Sequence, residues 1–393
     1  MGGVNIEYTN GALGGVLATD DGVCGMVLTG VSEGSYVAGV PVLVTGMADV
    51  DTLGISATGN AFAYRQLQQF YTAAPRGTQL YLQLVSDALL VSDMADVSNA
   101  NGAKKVLDFA AGKIKMLGVM QNNLLVDFTT DGVCINPECY VATENMEVMV
   151  NAYKELAMPF RGIVGGTGYD GIPGTLVDMT DGTSNNKAGI LIGDTQSGAA
   201  ACLGLMLGTA ASLPVQRKIS RVKNGSLPGV TAAYLGTDTV EAAGGAMGVI
   251  ESRGFITFKK YPRASGYFFS GDRMVTTSTD DYKYLARGRV IDKAFALGYA
   301  YGLQMVDDEV PVVPKVVNTV TVSAPEPKWA KYQEQQFRNV IVNAMVSKGE
   351  CEAADCFIDL DQNVQAADTL NVVLKIRPNG YSSFIDIALG YEV

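Results

Sequence analysis

The segment FAYRQLQQFYTAAPRGTQLYLQLV, residues 62–85, contains one complete helix-and-strand unit. Large apolar side chains recur at helical spacing in its first half, at Phe62, Leu67, Phe70 and Tyr71. A helix with one apolar face packs that face against a core. Gly77 ends the helical pattern, and the apolar run 79–85 predicts a buried strand. This unit predicts an α/β architecture.

Similar units flank this segment on both sides. Short apolar runs predict further strands at 23–31, 40–45, 114–119, 160–164 and 187–192. Helical patterns lie between them at 103–111, 144–156 and 199–211. The apolar stretch 198–213 is shorter than the roughly 20 residues of a membrane span and predicts a buried helix. The alternation predicts a mixed α/β domain from residue 16 to residue 240.

The pattern changes near residue 241. Strands are predicted at 254–260, 267–276, 357–360 and 369–377, and helices at 280–301 and 329–345. Prolines predict breaks in regular structure at 310–314 and at 325–327. We predict an α+β domain over 241–378.

Both ends of the chain alternate apolar and polar residues. The apolar positions are Val4, Ile6 and Tyr8 at one end and Ile385, Ile387, Leu389, Tyr391 and Val393 at the other. These strands either pair within their own domain or add to the sheet of a neighbouring subunit. Ten residues of strand reach about 33 Å at roughly 3.3 Å per residue, which is enough to bridge adjacent subunits. We therefore predict N- and C-terminal strand arms at 1–15 and 379–393.

The composition argues against several functions. The 393 residues carry a net charge of −11, and charged residues make up 18% against 48% hydrophobic. There is no basic stripe, so we predict no nucleic-acid partner. The chain has neither a basic amphipathic segment nor a leader-like start, so we expect no direct membrane insertion and no export signal. A charge-poor surface is typical of a protein that partners cover.

The absence of histidine excludes catalytic triads and histidine zinc sites, so an enzyme would depend on carboxylates, lysine or tyrosine. Cys134 and Cys139 are five residues apart, as are Cys351 and Cys356. Zinc pairs usually lie closer together. A four-cysteine metal site is one interpretation, and reduced thiols in the core or loops are the other. We predict no cofactor.

Two motifs partly match ligand-binding loops. The glycine-rich segment 162–171 lacks the Lys-Ser/Thr ending of a phosphate loop, and Pro173 follows where a helix would be needed. Asp359, Asp361 and Asn363 alternate as in a calcium loop, but the glycine and glutamate of that motif are missing. We expect ordinary loops at both places.

A basic cluster lies on the predicted helix 280–301. Its members are Arg287, Arg289 and Lys293. Two interpretations stay open. The cluster forms an exposed basic face, or it faces a neighbouring subunit or an inner tube and pairs with acidic residues there.

The order of these segments resembles that of contractile tail sheath proteins, including the sheaths of phage-like injection systems. The extended segment 4–8, the strand 23–31 and the unit 62–85 are similar to the N-terminal part of that family. The strand 254–260, the stretch DYKYLARGR at 281–289 and the strands 372–376 and 385–393 follow the order of its C-terminal part.

This resemblance implies a structural subunit without an active site. Six subunits would form a ring around an inner tube protein, and rings would stack helically between baseplate and terminator proteins. The α/β domain would face outward, the C-terminal domain would line the inside, and the arms would join neighbouring subunits. Assembly would take place in the bacterial cytoplasm, and the product would be a virion tail or an injection particle.

Two other functions account for parts of the pattern. One is a carboxylate- or tyrosine-based enzyme on a doubly wound sheet, which explains the middle of the chain but not its ends. The other is a different assembly protein, such as a capsid or tube subunit. The α/β middle argues against a tube, because tube proteins are usually shorter β-barrels.

Overall fold

The computed structural model describes residues 20–122, 135–182, 184–198, 200–383 and residue 385. The chain forms two compact units, Met1–Arg289 and Val290–Val393, called here the first and second units. The change of unit falls later than the 240/241 boundary that we predicted. The Ile192 N–H donates to the Ile256 carbonyl over 2.8 Å, so the chain beyond residue 240 continues the edge of the first unit's sheet.

The first unit is built on a six-stranded sheet. Its strands are β1 (Cys24–Thr29), β2 (Val42–Val44), β3 (Leu80–Val85), β4 (Met116–Met120), β5 (Arg161–Gly165) and β6 (Ala188–Leu191). They lie in the order β2-β3-β1-β4-β5-β6, with β2 antiparallel and the others parallel. All residues of the parallel strands are buried, as expected when helices cover both faces. The mixed α/β prediction is confirmed.

The first unit's helices cover the two faces of this sheet. The helices that connect or follow its strands are α1 (Met47–Leu53), α2 (Ala61–Ala73), α3 (Val91–Met94), α4 (Ala103–Ala110), α5 (Glu138–Glu155) and α6 (Leu203–Ala211). Gly118 of β4 lies against Leu203 and Leu207 of α6. Gly162, which is paired with Leu117 and therefore on the other face, lies against Met146 of α5.

The apolar stretch 198–213 does form a buried helix, α6, although it begins at Leu203 rather than at 199. This helix packs closely against α2. The side chain of Gln66 accepts from the Gly204 N–H at 2.9 Å and donates to the Ala201 carbonyl at 2.9 Å. These two bonds satisfy main-chain groups at the start of α6, where a helix has unpaired N–H groups.

Short elements complete the first unit. They are β7 (Tyr234–Leu235), β8 (Asp238–Thr239), α7 (Val240–Ala243), α8 (Ala246–Ser252), β9 (Phe258–Lys259), β10 (Phe268–Phe269) and the start of α9 (Leu285–Gly302). The strands predicted at 254–260 and 267–276 are thus reduced to two residues each. Local side-chain bonds replace the ladder there, as when the Thr257 N–H donates to the Ser270 hydroxyl at 3.1 Å.

Helix α9 begins five residues later than predicted. The Asp280 carboxylate accepts from the Tyr282 N–H at 2.6 Å and holds the preceding residues in a turn. The helix start is then capped by Asp272, whose carboxylate accepts from the Ala286 N–H at 3.1 Å.

The second unit contains the remainder of α9 and two small sheets. Its other elements are β11 (Val312–Val317), β12 (Val320–Pro325), α10 (Pro327–Ala344), β13 (Ala353–Ile358), α11 (Val364–Ala367) and β14 (Val372–Arg377). The antiparallel pairs are β11 with β12 and β13 with β14. The α+β character predicted for this part of the chain is confirmed.

The hairpin of β11 and β12 corrects the break predicted at 310–314. Asn318 and Thr319 have φ of 49° and 72°, the positive values of a two-residue hairpin turn. Pro314 is tolerated within β11 because a strand of a two-stranded sheet has an outer edge that needs no N–H.

Most of the predicted arm residues lie outside the described part of the chain. These are Val4, Ile6, Tyr8, Ile387, Leu389, Tyr391 and Val393. Ile385 is described, and its side chain is 76% exposed. Residues 378–383, which follow β14, contain no strand.

Candidate assembly surfaces

The sheet of β13 and β14 has only two strands in the described part of the chain. Helix α10 is bonded to β13 through two side chains. The Ile358 N–H donates to Glu334 at 2.9 Å, and Arg338 donates to the Ala354 carbonyl at 3.2 Å. These main-chain groups of β13 are therefore occupied by α10. A further strand would have to add on the side of β14.

The outer face of this sheet is exposed. Phe357 and Val373 are directly opposite each other in the register and are 56% and 46% exposed. Lys375 and Arg377 follow on the same face of β14 and are also exposed. An aromatic–aliphatic pair left in water beside two cations is a surface suited to contact with another chain.

The β11–β12 hairpin is a second exposed apolar surface. Val316 and Val320 are 68% and 61% exposed, and Val312 is 40% exposed. One ion pair joins the hairpin to the rest of the second unit, between Lys315 and Asp361 at 2.5 Å.

The structure places the predicted basic cluster differently from either interpretation. Arg289 is only 4% exposed, and its guanidinium donates to the carbonyls of Ala210, Leu213 and Asp21 at 3.0 to 3.2 Å. It is a structural residue of the first unit, and the expectation that it faces a partner is corrected. Because α9 begins at Leu285, Arg289 lies near the start of the helix, where its side chain meets the end of α6.

The other two members of the cluster also have partners within the chain. Lys293 forms an ion pair of 2.7 Å with Glu350, and both side chains are largely buried in the second unit. Arg287 is half-buried and donates to the Asp281 carbonyl at 3.1 Å. The three cations therefore do not form one exposed face.

None of the described cysteines forms a disulfide, and four of these five are buried. Free thiols are present at Cys24, Cys139, Cys202, Cys351 and Cys356, and Cys134 lies outside the described residues. Burial raises the pKa of Cys24 to about 12 and that of Cys139 to about 11, so both stay protonated and unreactive. Across the described ranges, no group of three or more acidic or cysteine side chains is arranged to hold a metal ion.

The glycine-rich segment is the end of β5 followed by a loop, and the acidic motif is a loop with internal hydrogen bonds. In the segment 162–171 the chain is buried as far as Tyr169, and a single 3-10 turn, Pro173–Thr175, is the next regular element. In the acidic loop, Asp359 accepts from the Asp361 N–H at 2.8 Å, and Asn363 caps α11. In the part of the chain that the structure describes, no helix is long and apolar enough to cross a membrane.

Sequence patterns did not reveal the two residues of α10 that occupy the main chain of β13 and leave β14 as the open side of the sheet. Glu334 and Arg338 are four apart on α10, which places them on one helix face. Nothing in that spacing indicates that both side chains bond to the main chain of β13.

Solved structures with this fold come from contractile assemblies. The helical sheath of the anti-feeding prophage in its contracted state matches with a TM-score of 0.61 and 14% identity, over 99% of each chain. A chain of the six-fold symmetrised baseplate of the same particle matches with a TM-score of 0.63 and 14% identity, over 100% of this chain and 99% of that one. The sheath complex of an extracellular contractile injection system, PVC, matches with a TM-score of 0.60 and 13% identity, over 100% and 98%.

At these identities the similarity establishes the fold, which is that of contractile sheath proteins, as the resemblance in sequence predicted. Within that class the chain belongs to the DUF2586 family. The N-terminal domain of this family matches residues 1–273 and its C-terminal domain matches residues 281–393. No curated protein matches the chain.

Proposed function

We propose that this chain is the structural subunit of a contractile sheath and has no catalytic role. The observation that carries the proposal is the extent of the fold similarity, which covers at least 98% of this chain and of the sheath chains of the anti-feeding prophage and of PVC. An enzyme built on a doubly wound sheet would account for the first unit alone. The sheath fold accounts for both units and for their order along the chain.

In the proposed assembly, six subunits form a ring around an inner tube protein, and rings stack helically. The similar chain in the anti-feeding prophage baseplate supports a baseplate protein as a further partner at one end, and a terminator protein would close the other. The subunit needs no cofactor, because contraction would draw on free energy stored during assembly. It would assemble in the bacterial cytoplasm and act in a virion tail or an injection particle.

Strand exchange is the proposed link between subunits. A strand arm of one subunit would add beside β14 of a neighbour, because α10 already occupies main-chain groups of β13. Main-chain hydrogen bonds would provide affinity, and the alternating apolar residues Ile385 to Val393 would set the register.

Charge also favours this pairing. The C-terminal arm carries Asp386 and Glu392 and no cation. The exposed face of β14 carries Lys375 and Arg377. Opposite charges on adjacent strands stabilise a pair modestly, by roughly 0.2 to 1 kcal/mol, and disfavour wrong registers.

Sedimentation velocity of a variant that lacks residues 386–393 tests the proposal. The variant should remain a folded monomer at concentrations where the full chain polymerises. Its thermal unfolding midpoint serves as the control, because an arm that pairs only with a neighbour contributes nothing to the stability of the isolated monomer. Polymers of unchanged size, or a monomer that has lost its fold, would contradict the proposed role of the arm.

A further inference from the structure

The second unit contains a groove that the proposed strand exchange does not use. It lies among the end of α9, the β11 strand, α10 and the segment 364–372, and has a volume of about 940 Å³. We call it the Trp329 groove. Its apolar lining includes Val306, Val312, Trp329, Phe337, Val364 and Leu370.

The floor of the groove is pre-formed. The Phe337 ring is buried and lies edge-to-face against Tyr301 with ring centroids 4.6 Å apart. The Tyr301 hydroxyl in turn donates to Gln333 at 2.8 Å. Trp329 lies on the same helix, is half-buried and lines the groove. A rigid aromatic floor of this kind binds an apolar side chain without much ordering cost.

The rim of the groove is acidic. Asp307, Asp308 and Asp368 line it, and no lysine or arginine does. None of these three carboxylates has an ion pair with another described residue. Other acidic side chains of the second unit do have such partners. Glu350 pairs with Lys293, Asp361 pairs with Lys315 and Glu334 pairs with Lys331. The rim therefore keeps an uncompensated negative charge beside an exposed apolar surface.

The chain's own arms do not fit this chemistry. The N-terminal arm carries Glu7 as its only charged side chain, and the C-terminal arm carries Asp386 and Glu392. Either arm would bring negative charge to a negative rim, and like charges in a contact are unfavourable. The occupant has to be basic, with an apolar side chain between or beside its cations.

We infer that the Trp329 groove binds a lysine- or arginine-bearing segment of a partner protein. An apolar side chain of the segment packs on Trp329 and Phe337, and its cations pair with the three aspartates. A cation near the indole also gains from the negative face of the ring. The groove shares only Val372 with β14 and does not include Val373, Lys375 or Arg377, so loss of strand exchange and loss of groove binding are distinguishable.

The sole tryptophan of the chain makes the groove directly observable, since Trp329 is the only source of indole emission. The full-length protein is titrated with a short capped peptide that has leucines between lysines, and Trp329 emission is followed. We expect a saturable blue shift that weakens as salt rises. A peptide with glutamate in place of lysine should leave the emission unchanged.

The variant Asp307→Asn, Asp308→Asn, Asp368→Asn should weaken binding of the lysine peptide about tenfold, or about 1.4 kcal/mol, which lies within what three exposed ion pairs contribute together. Asparagine is chosen because Asp307 and Asp368 have φ of 61° and 47°, and asparagine tolerates this conformation. The matched control is Glu155→Gln, Asp238→Asn, Glu352→Gln, which removes the same charge from exposed residues that do not line the groove.

Three outcomes of the peptide titrations would overturn the inference. The glutamate peptide binds as tightly as the lysine peptide, the control variant weakens binding as much as the rim variant, or neither peptide shifts the emission. A blue shift that depends on protein concentration without any peptide, and that persists in the variant lacking residues 386–393, would assign the groove to a second copy of this chain and would also overturn it.

Discussion

Gly204 of α6 lies so close to Gln66 of α2 that a Cβ built on Gly204 would be 1.9 Å from the Gln66 carbonyl oxygen. Gly208, one turn later, is in the same position relative to Phe70, at 2.4 Å from its carbonyl. Both neighbours are main-chain atoms of a packed helix, so they cannot move as a flexible side chain would. The two glycines set the distance between α2 and α6, and with it the packing of one face of the sheet.

Gly204→Ala should therefore destabilise the first unit by about 3 kcal/mol, at the upper end of what overpacking usually costs. Chemical denaturation of the variant measures this. The matched control is Gly248→Ala in α8, where no atom lies within 4 Å of the added Cβ. That variant should be stabilised by about 0.5 to 1 kcal/mol, because alanine is the better helix former. Equal effects at the two positions would contradict the close approach of α2 and α6.

Arg289→Leu should destabilise the first unit by about 3 kcal/mol, because the buried Ala210 carbonyl and the partly buried carbonyls of Leu213 and Asp21 would lose their donor. Arg287→Leu is the control, since Arg287 is half-buried and donates to the carbonyl of the exposed Asp281; its effect should stay below about 1 kcal/mol. Urea unfolding of both variants tests the assignment. A greater loss in Arg287→Leu than in Arg289→Leu would contradict the assignment of Arg289 as the structural member of the cluster.

Asp272 should make stability depend on pH. Burial raises its pKa above the ordinary value of 3.8, while the Lys218 ammonium at 3.4 Å lowers the pKa by a smaller amount. The folded state thus favours the protonated carboxyl. Its contribution is fully present below pH 3.8 and is lost as pH rises through the raised pKa.

The difference in unfolding free energy between the native chain and Asp272→Asn measures this contribution, because asparagine does not titrate. That difference should fall as pH rises above 3.8. Removing the nearby cation with Lys218→Met should make the total fall in this free-energy difference larger. A difference that grows with pH would show that the attraction of Lys218 outweighs burial.

The sequence predicted the first unit well because its signals are local. The apolar face that begins at Phe62 and the run 79–85 both gave elements close to α2 and β3. The parallel strands are buried on both faces, so each is a short apolar run bounded by turn residues. Such runs are recognised without knowledge of their partners.

The second unit was harder to predict because its elements depend on contacts. Proline at 314 suggested a break, yet a two-stranded hairpin tolerates proline at its edge. The pair Asn318-Thr319, which is polar and lies between two β-branched runs, is the feature of the sequence that indicates the hairpin turn. The positions of Arg289 and Lys293 could not be predicted, because their partners at Ala210 and Glu350 are remote in sequence.

The domain boundary depended on similar contacts. The sequence pattern changes near residue 241, but residues 241–289 belong to the first unit, where Ile256 pairs with Leu191 and Asp272 forms an ion pair with Lys218. The two family domains meet between residues 273 and 281, close to the start of α9.

Negative-stain electron microscopy of the purified, concentrated protein tests the sheath proposal most directly. The proposal predicts long hollow tubes or stacked six-fold rings, formed without nucleotide or metal. A preparation that includes the inner tube protein covers the case in which assembly needs a template. Uniform small particles at every protein and salt concentration, with and without the tube protein, would contradict the proposal.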